Sequence, residues 1–155
     1  DFGMSIVKYF AAGIGAADLG NGAYRIDLAD GTSRPATAEE IKSAAVLYVT
    51  EQIKAERDRR KGAGCPVGAY VFHSDDASRI QQLGLVMMGA NLPVGIMWKT
   101  ADNGYVEMTP TLAQQIFAAQ ATRDTTLFAV AQQHIAAAGQ AADPLAYDYS
   151  IGWPE

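Results

Sequence analysis

Thiols and imidazoles are scarce in this chain, which has one cysteine, Cys65, and two histidines, His73 and His134. A lone cysteine cannot close an internal disulfide, so nothing here requires an oxidising compartment. The two histidines stand far apart, and Cys65 has no ligand-type neighbour, so no zinc pattern forms and no metal or other cofactor is expected. Asp75 and Asp76 offer at most a weak surface cation site. Excess positive charge is also missing. Twelve Lys and Arg against seventeen Asp and Glu leave a net charge of -5, which argues against a nucleic-acid or anionic-membrane partner. No run approaches the ~20 apolar residues that span a bilayer. The stretch 6–17 is not expected to be a signal-peptide core, because Lys8 interrupts it and no basic leader precedes it. Met4 is the expected native start, with Asp1-Phe2-Gly3 left over from expression. There is no tandem repeat, and no linker long enough to divide domains. What remains is 155 residues, 49% hydrophobic and 19% charged, enough for a real core.

Residues 5–10 carry the β-branched and aromatic side chains of a strand, and the glycine-rich segment 11–22 is expected to wander over the surface. Ala23-Tyr24-Arg25-Ile26-Asp27-Leu28 alternates as a strand, followed by the turn dipeptide Asp30-Gly31. Thr37-Ala38-Glu39-Glu40 is a capping box, so a helix starts here. Ile41, Ala44, Ala45, Tyr48, Val49 and Ile53 trace its apolar face. It ends in Lys54, Arg57, Arg59, Arg60 and Lys61, cations suited to the negative end of the dipole, with Gly62 expected at the left-handed cap.

The stretch 66–109 organises the rest, reading as hairpin, helix, hairpin. Residues 69–72 form a strand and Ser74 or Asp75 caps the next helix. Ile80, Leu83, Leu85, Val86, Met87 and Met88 make that helix apolar nearly all round, so it is expected to be the central buried one, its methionines filling core. Residues 94–99 and 105–108 form a second hairpin through Asp102-Asn103-Gly104, with Gly104 expected at positive φ. Thr109-Pro110 opens the last helix, which carries Leu112, Ile116, Phe117, Leu127, Phe128, Val130 and Ile135. The polar Arg123-Asp124-Thr125-Thr126 suggests a kink or an exposed stretch there. Asp143-Pro144 breaks the chain, and the aromatic tail 147–153 is expected to pack back on the body or on a partner. The pattern predicts an α+β fold, with three main helices over about 38–61, 75–91 and 110–138 and short antiparallel hairpins. Residues 1–37 form an N-terminal strand and hairpin segment, and 38–155 the main domain.

No reaction follows from these residues. His73-Ser74-Asp75-Asp76 has the members of a catalytic triad, but triad groups converge from separate segments, and a strand end followed by a capped helix explains the same letters. Cys65 lacks a partner base and reads as an incidental loop cysteine, its pKa at most slightly lowered by the basic helix end. The glycines at 13, 15, 20 and 22 lack the strand-to-helix context of a phosphate cradle.

Three groups of residues carry a resemblance. They are Ile53-Lys54-Ala55-Glu56-Arg57-Asp58-Arg59-Arg60; Phe72-His73-Ser74-Asp75 with Ser78-Arg79; and Trp98-Lys99-Thr100 with Asp102-Asn103-Gly104. With Met108-Thr109-Pro110, the alanine-rich helix and the ending Tyr147-Asp148-Tyr149-Ser150-Ile151-Gly152-Trp153-Pro154, the chain resembles an uncharacterised domain common in tail genes of tailed bacteriophages and prophages. The resemblance covers about Glu40 to the C-terminus. Tyr24-Arg25-Ile26-Asp27-Leu28-Ala29-Asp30-Gly31-Thr32, the run from Pro35 to Glu40, and Gly152-Trp153-Pro154 are similar to the opening and the end of tail fibre assembly proteins.

The resemblance implies a non-enzymatic tail fibre assembly factor that shields the fibre tip in the host cytoplasm. A structural part of the virion tail fibre or baseplate is the second expectation. A cell-wall hydrolase using Asp75 or Asp76 is the third, without a second separated carboxylate to support it. The expected partner is a tail fibre or other tail protein, with self-association left open. The expected contact residues are Tyr147, Tyr149 and Trp153, then Trp98 and Tyr105.

Overall fold

The computed structural model describes residues 6–155; the expected start at Met4, the three residues before it expected as an expression leftover, and Ser5 lie outside these residues. The chain is α+β, with three main helices and short antiparallel hairpins. Its contacts divide it into two units, Asp1–Lys54 with Gln132–Ile151, and Ala55–Ala131 with Gly152–Glu155.

The first unit begins with a 3-10 turn, Val7–Tyr9, followed by strands β1 (Gly15–Gly20), β2 (Ala23–Asp27) and β3 (Ser33–Pro35) in an antiparallel sheet of order β1-β2-β3. Two expectations are corrected here. Within the segment expected as a strand from residue 5 to 10, Val7–Tyr9 form the 3-10 turn. Ile6 is fully buried, Tyr9 meets the Tyr48 ring and Phe10 the Tyr24 ring, so side-chain packing outweighs β-propensity. The glycine-rich segment does not wander but supplies β1. Its signal is Asn21-Gly22, both at positive φ, the two-residue turn that matches strand twist and joins β1 to β2. Gly13 is required where it stands, because a Cβ there would lie 2.3 Å from the Asp27 carbonyl oxygen that accepts from the Ile14 amide. On β2, Tyr24 and Ile26 are buried while Arg25 and Asp27 pair with each other, as the alternation predicts.

Helix α1 (Ala38–Lys61) starts at the capping box read from the sequence. The Thr37 hydroxyl accepts from the Glu40 amide at 3.1 Å, and the Glu40 carboxylate accepts from the Thr37 amide at 2.9 Å. Arg34, on β3, adds a bidentate clasp on Glu40 at 2.8 and 3.0 Å. Ala44, Ala45, Val49 and Ile53 form the buried face of α1.

The second unit holds two hairpins and a helix between them. Strands β4 (Cys65–Val67) and β5 (Tyr70–Phe72) pair, helix α2 (Asp76–Met88) follows with a 3-10 turn (Gly89–Asn91), and strands β6 (Met97–Lys99) and β7 (Tyr105–Glu107) pair next. Its core is Phe72, Leu85, Leu92, Met108, Ala113 and Ile116, with Trp98 and Val106 packed against it. Positive φ falls on Gly64 and Asn103, not on the expected Gly62 and Gly104. Gly104 is instead held by its amide, which donates to the Thr100 hydroxyl at 3.0 Å.

Helix α3 (Pro110–Gln140) opens on Thr109, whose hydroxyl accepts from the Leu112 amide. It runs unbroken through the polar stretch 123–126. Thr125 and Thr126 donate to Ala121 and Thr122 carbonyls one turn back, while Arg123 and Asp124 are half-buried and bonded to other segments. A last 3-10 turn, Pro144–Ala146, follows the expected break. Among the described residues, no helix is long and apolar enough to cross a membrane.

The largest departure concerns α2, which is not a helix buried all round. Only Gln82 and Leu85 are buried; Ile80, Leu83, Met87 and Met88 are exposed. A 13-residue helix beside two small hairpins has partners for one side only.

Candidate functional site

The sequence places its polar candidates in the second unit, where they secure the end of α1. A helix leaves its last carbonyls without partners inside the helix, and here other segments supply them. The Ser74 hydroxyl donates to the Lys61 carbonyl at 2.7 Å and accepts from the Gly64 amide at 2.8 Å. Arg79 donates to the Ser74 carbonyl at 2.6 Å and to the Lys61 carbonyl at 3.0 Å. Its guanidinium also meets Asp124 through two bonds of 2.7 and 3.1 Å. Arg123 donates to the Arg60 carbonyl at 2.9 Å. Cations at these carbonyls meet the negative end of the α1 dipole. Buried Gln82 donates to the His73 carbonyl at 2.8 Å and accepts from buried Gln120 at 2.7 Å.

His73-Ser74-Asp75-Asp76 therefore forms no triad. Ser74 is fully engaged, His73 is exposed, and Asp75 caps α2 by accepting from the Ser78 amide and hydroxyl. Those two bonds hold the Asp75 carboxyl below the usual range. Cys65 is a buried strand residue, not a loop one, and burial pushes its thiol pKa up, with Arg123 and Arg79 only partly opposing that. The lowered pKa expected from the basic helix end does not occur. The basic run itself is largely paired: Arg59 and Arg60 share Glu56 and hold its carboxyl down at about 2, while Arg57 lies over the Phe128 ring. Among the described residues, no three metal-ligating side chains converge.

The five aromatic residues expected at a contact surface do not share one place. Trp153 is 8% exposed, with the Arg60 guanidinium over its ring. Tyr147 is half-buried, and its hydroxyl meets His134 Nδ1 at 2.7 Å. The other imidazole nitrogen, Nε2, lies 2.7 Å from the Ile151 carbonyl, which can only accept, so Nε2 donates there. Tyr149 is half-buried as well. Trp98, opposite Val106 in the β6–β7 pair, turns toward the core, whereas Tyr105 is 62% exposed.

The surface that sequence reasoning missed is the outer side of α2. Ile80 is 72% exposed, Leu83 43% and Met87 79%, at spacings of three and four residues that set them along one helical stripe. Met88 follows Met87 on the helix, and Val94 and Met97 are exposed as well. A cleft of about 280 Å³ lies on another side of α2, with Ser78, Gln81 and Gln82 of α2 on one side and Met97, Trp98 and Lys99 of the second hairpin on the other. It is small for a metabolite pocket, and its lining includes no carboxylate. The signal for this surface lies in the sequence: from Ile80 to Trp98 no residue is charged, although charges make up 19% of the chain. An uncharged run is easily read as core, but here a single helix presents it on two opposite sides.

No curated protein and no solved structure matches this chain. A family model does match residues 44–151, more than half of the chain, and the protein belongs to that family, the domain of unknown function DUF4376.

Proposed function

We propose that this protein is a non-enzymatic assembly factor of a bacteriophage or prophage tail, which binds the tip of a tail fibre in the host cytoplasm through the outer face of α2. The observation that carries the reading is the exposed, uncharged stripe of Ile80, Leu83 and Met87 on α2. An apolar surface of this kind marks a protein contact rather than a reaction. Methionine suits it, because its unbranched, polarizable chain adapts to a partner's shape, as a surface that must hold an unfinished fibre end requires. Tyr105 is exposed on the second hairpin, whereas Trp98 packs against the core. The tail assignment rests on the residue resemblance to tail-gene domains and to tail fibre assembly proteins.

The test is co-expression with the neighbouring tail fibre gene, followed by affinity capture and molar-mass measurement. A stable complex with the fibre tip, absent from finished virions, supports the assembly role. Finding the chain by mass spectrometry in purified particles instead supports a structural part of the fibre or baseplate. Failure to capture the tip counts directly against the proposal.

A further inference from the structure

Three places in the chain put an asparagine or aspartate directly before a glycine: Asn21-Gly22, Asp30-Gly31 and Asn103-Gly104. In this pairing the backbone amide most easily attacks the side chain of the residue before it, because glycine has no Cβ to hinder the approach. What holds the glycine amide decides whether the attack happens, and the three glycines are held differently.

The Gly31 amide donates to the Leu28 carbonyl at 3.1 Å. The Asp30 carboxylate is engaged as well, accepting from the Thr32 amide at 2.9 Å and from the Thr32 hydroxyl at 2.6 Å. Those bonds hold its carboxyl below the usual range, in the charged form that resists attack. The Gly104 amide donates to the Thr100 hydroxyl at 3.0 Å, and the Gly104 carbonyl accepts from the Thr100 amide at 2.9 Å. Thr100 is fully buried, and the next amide, Ala101, donates to the Val71 carbonyl at 2.7 Å. Ring closure at Asn103 therefore requires breaking bonds to a buried anchor.

Asn21-Gly22 has no such anchor. Both residues are exposed, at φ 53° and 77°, in the turn between β1 and β2. Among the described residues, no group accepts from the Gly22 amide. A Cβ built on Gly20 or Gly22 would meet no atom within 4 Å, so the Asn21 side chain has room to swing onto that amide. Strand β1 is an edge strand, and its pairing is irregular between Asp18 and Gly20, just before the turn. A hairpin tip of this kind opens at little cost.

We propose that Asn21 is a site of spontaneous covalent modification, converting to aspartate and isoaspartate in the folded protein, while Asp30 and Asn103 are protected. Solvent base takes the Gly22 amide proton, and the nitrogen attacks Asn21 Cγ, forming a new C–N bond. The Cγ–Nδ2 bond breaks, and the side-chain nitrogen takes a proton from water and leaves as ammonia. Water then opens the cyclic imide at one carbonyl or the other, with no oxidation or reduction. Either product carries a new negative charge. Isoaspartate also adds a methylene to the backbone of a turn whose two-residue length sets the register of β1 on β2.

The test is to hold the full chain in warm, mildly alkaline buffer, folded or in guanidinium chloride, and to map its tryptic peptides by mass spectrometry. Digestion in heavy-oxygen water marks any conversion that occurs during digestion. Asn21 falls in peptide 9–25 and Asn103 in peptide 100–123, so the two are read separately. In the folded protein Asn21 is expected to convert at least about tenfold faster than Asn103, and in denaturant the two rates are expected to agree within about threefold. Asn21→Gln is expected to remove the acidic species that accumulates on ion exchange. Thr100→Val takes the acceptor from the Gly104 amide and is expected to speed conversion at Asn103 severalfold; should it not fold, the wild-type ratio decides. The proposal is overturned by an unconverted Asn21, by equal rates in the folded chain, or by a folded Thr100→Val that leaves Asn103 as slow as before. A tenfold difference that persists in denaturant would also overturn it, because neighbouring residues rather than the fold would then set the rates.

Discussion

Helices α1 and α2 both begin at a side-chain cap and both carry an apolar face, yet they treat their remaining surface in opposite ways. The buried side of α1 is Ala44, Ala45, Val49 and Ile53, and its exposed side carries charges that pair among themselves, such as Glu51 with Lys54 and Glu56 with Arg59. Helix α2 buries Gln82 and Leu85 and leaves Ile80, Leu83 and Met87 in water. Its one arginine, Arg79, turns to Asp124 and to the end of α1. Helix α1 leaves one large apolar side chain exposed, Leu47, whereas α2 buries a glutamine and exposes an isoleucine, the reverse of what folding alone would select.

The sharpest way to break this comparison is to truncate the inner faces. Ile53→Ala on α1 and Leu85→Ala on α2 are each expected to cost about 2–5 kcal/mol in urea or thermal unfolding. Ile80→Ala and Met87→Ala on the outer face of α2 are expected to stay within about 0.5 kcal/mol of the wild type. Comparable losses on both sides of α2 would show that the outer face is covered within the chain. Next in size is Arg79→Ala, which removes the Asp124 pair and a cap from the α1 carbonyls at once, with an expected cost of about 2–3 kcal/mol. Circular dichroism melts would detect it, and an unchanged midpoint would dissolve the link drawn here between Arg79 and the end of α1.

The caps come third. Thr37→Ala and Asp75→Ala are each expected to cost about 1 kcal/mol, equally for the two helices. Chemical denaturation of the two variants side by side checks this, and a negligible effect at Asp75 would mark α2 as held by packing alone. The smallest effect is on pH dependence. Arg34, with the Thr37 amide, holds the Glu40 carboxyl at about 2, and Arg59, then Arg60, hold Glu56 at about 2. A carboxyl lowered on folding contributes stability that is present above the ordinary glutamate range and lost as the pH falls toward its folded value. Wild-type stability should therefore decline between the ordinary glutamate range and about pH 2, and Glu40→Gln with Glu56→Gln should flatten that decline. An equally steep acid limb in the double variant would place the acid sensitivity elsewhere.

Much of the fold was legible because its signals are local. The Thr37 box, the cap expected at Ser74 or Asp75 and found at Asp75, Thr109-Pro110 and the alternation through Tyr24 and Ile26 all depend on neighbours a few residues away. Strand β1 was missed because glycine, alanine and aspartate have little β-propensity of their own, and pairing with β2 makes the strand; Asn21-Gly22 was the available clue. Long-range polar bonds were not legible at all. Arg79 meets Asp124 across 45 residues, and nothing local in either residue names the other. The candidate surface was misread for a different reason. Apolar periodicity says that a helix side avoids water but not whether the same chain supplies the cover, so Ile80, Leu83 and Met87 read as core. Gln82 and Gly84, awkward in a helix buried all round, were the residues that could have corrected this.

The measurement that tests the central claim most directly is co-purification of the fibre tip with the wild type and with Met87→Glu, at matched folded concentrations verified by their melting curves. The account predicts that the wild type retains the tip, while Met87→Glu melts within about 0.5 kcal/mol of it and retains at least about tenfold less, because a charge in the centre of an apolar contact is left without water or a counter-ion. Equal retention by the two proteins would contradict the account and move the binding surface away from α2.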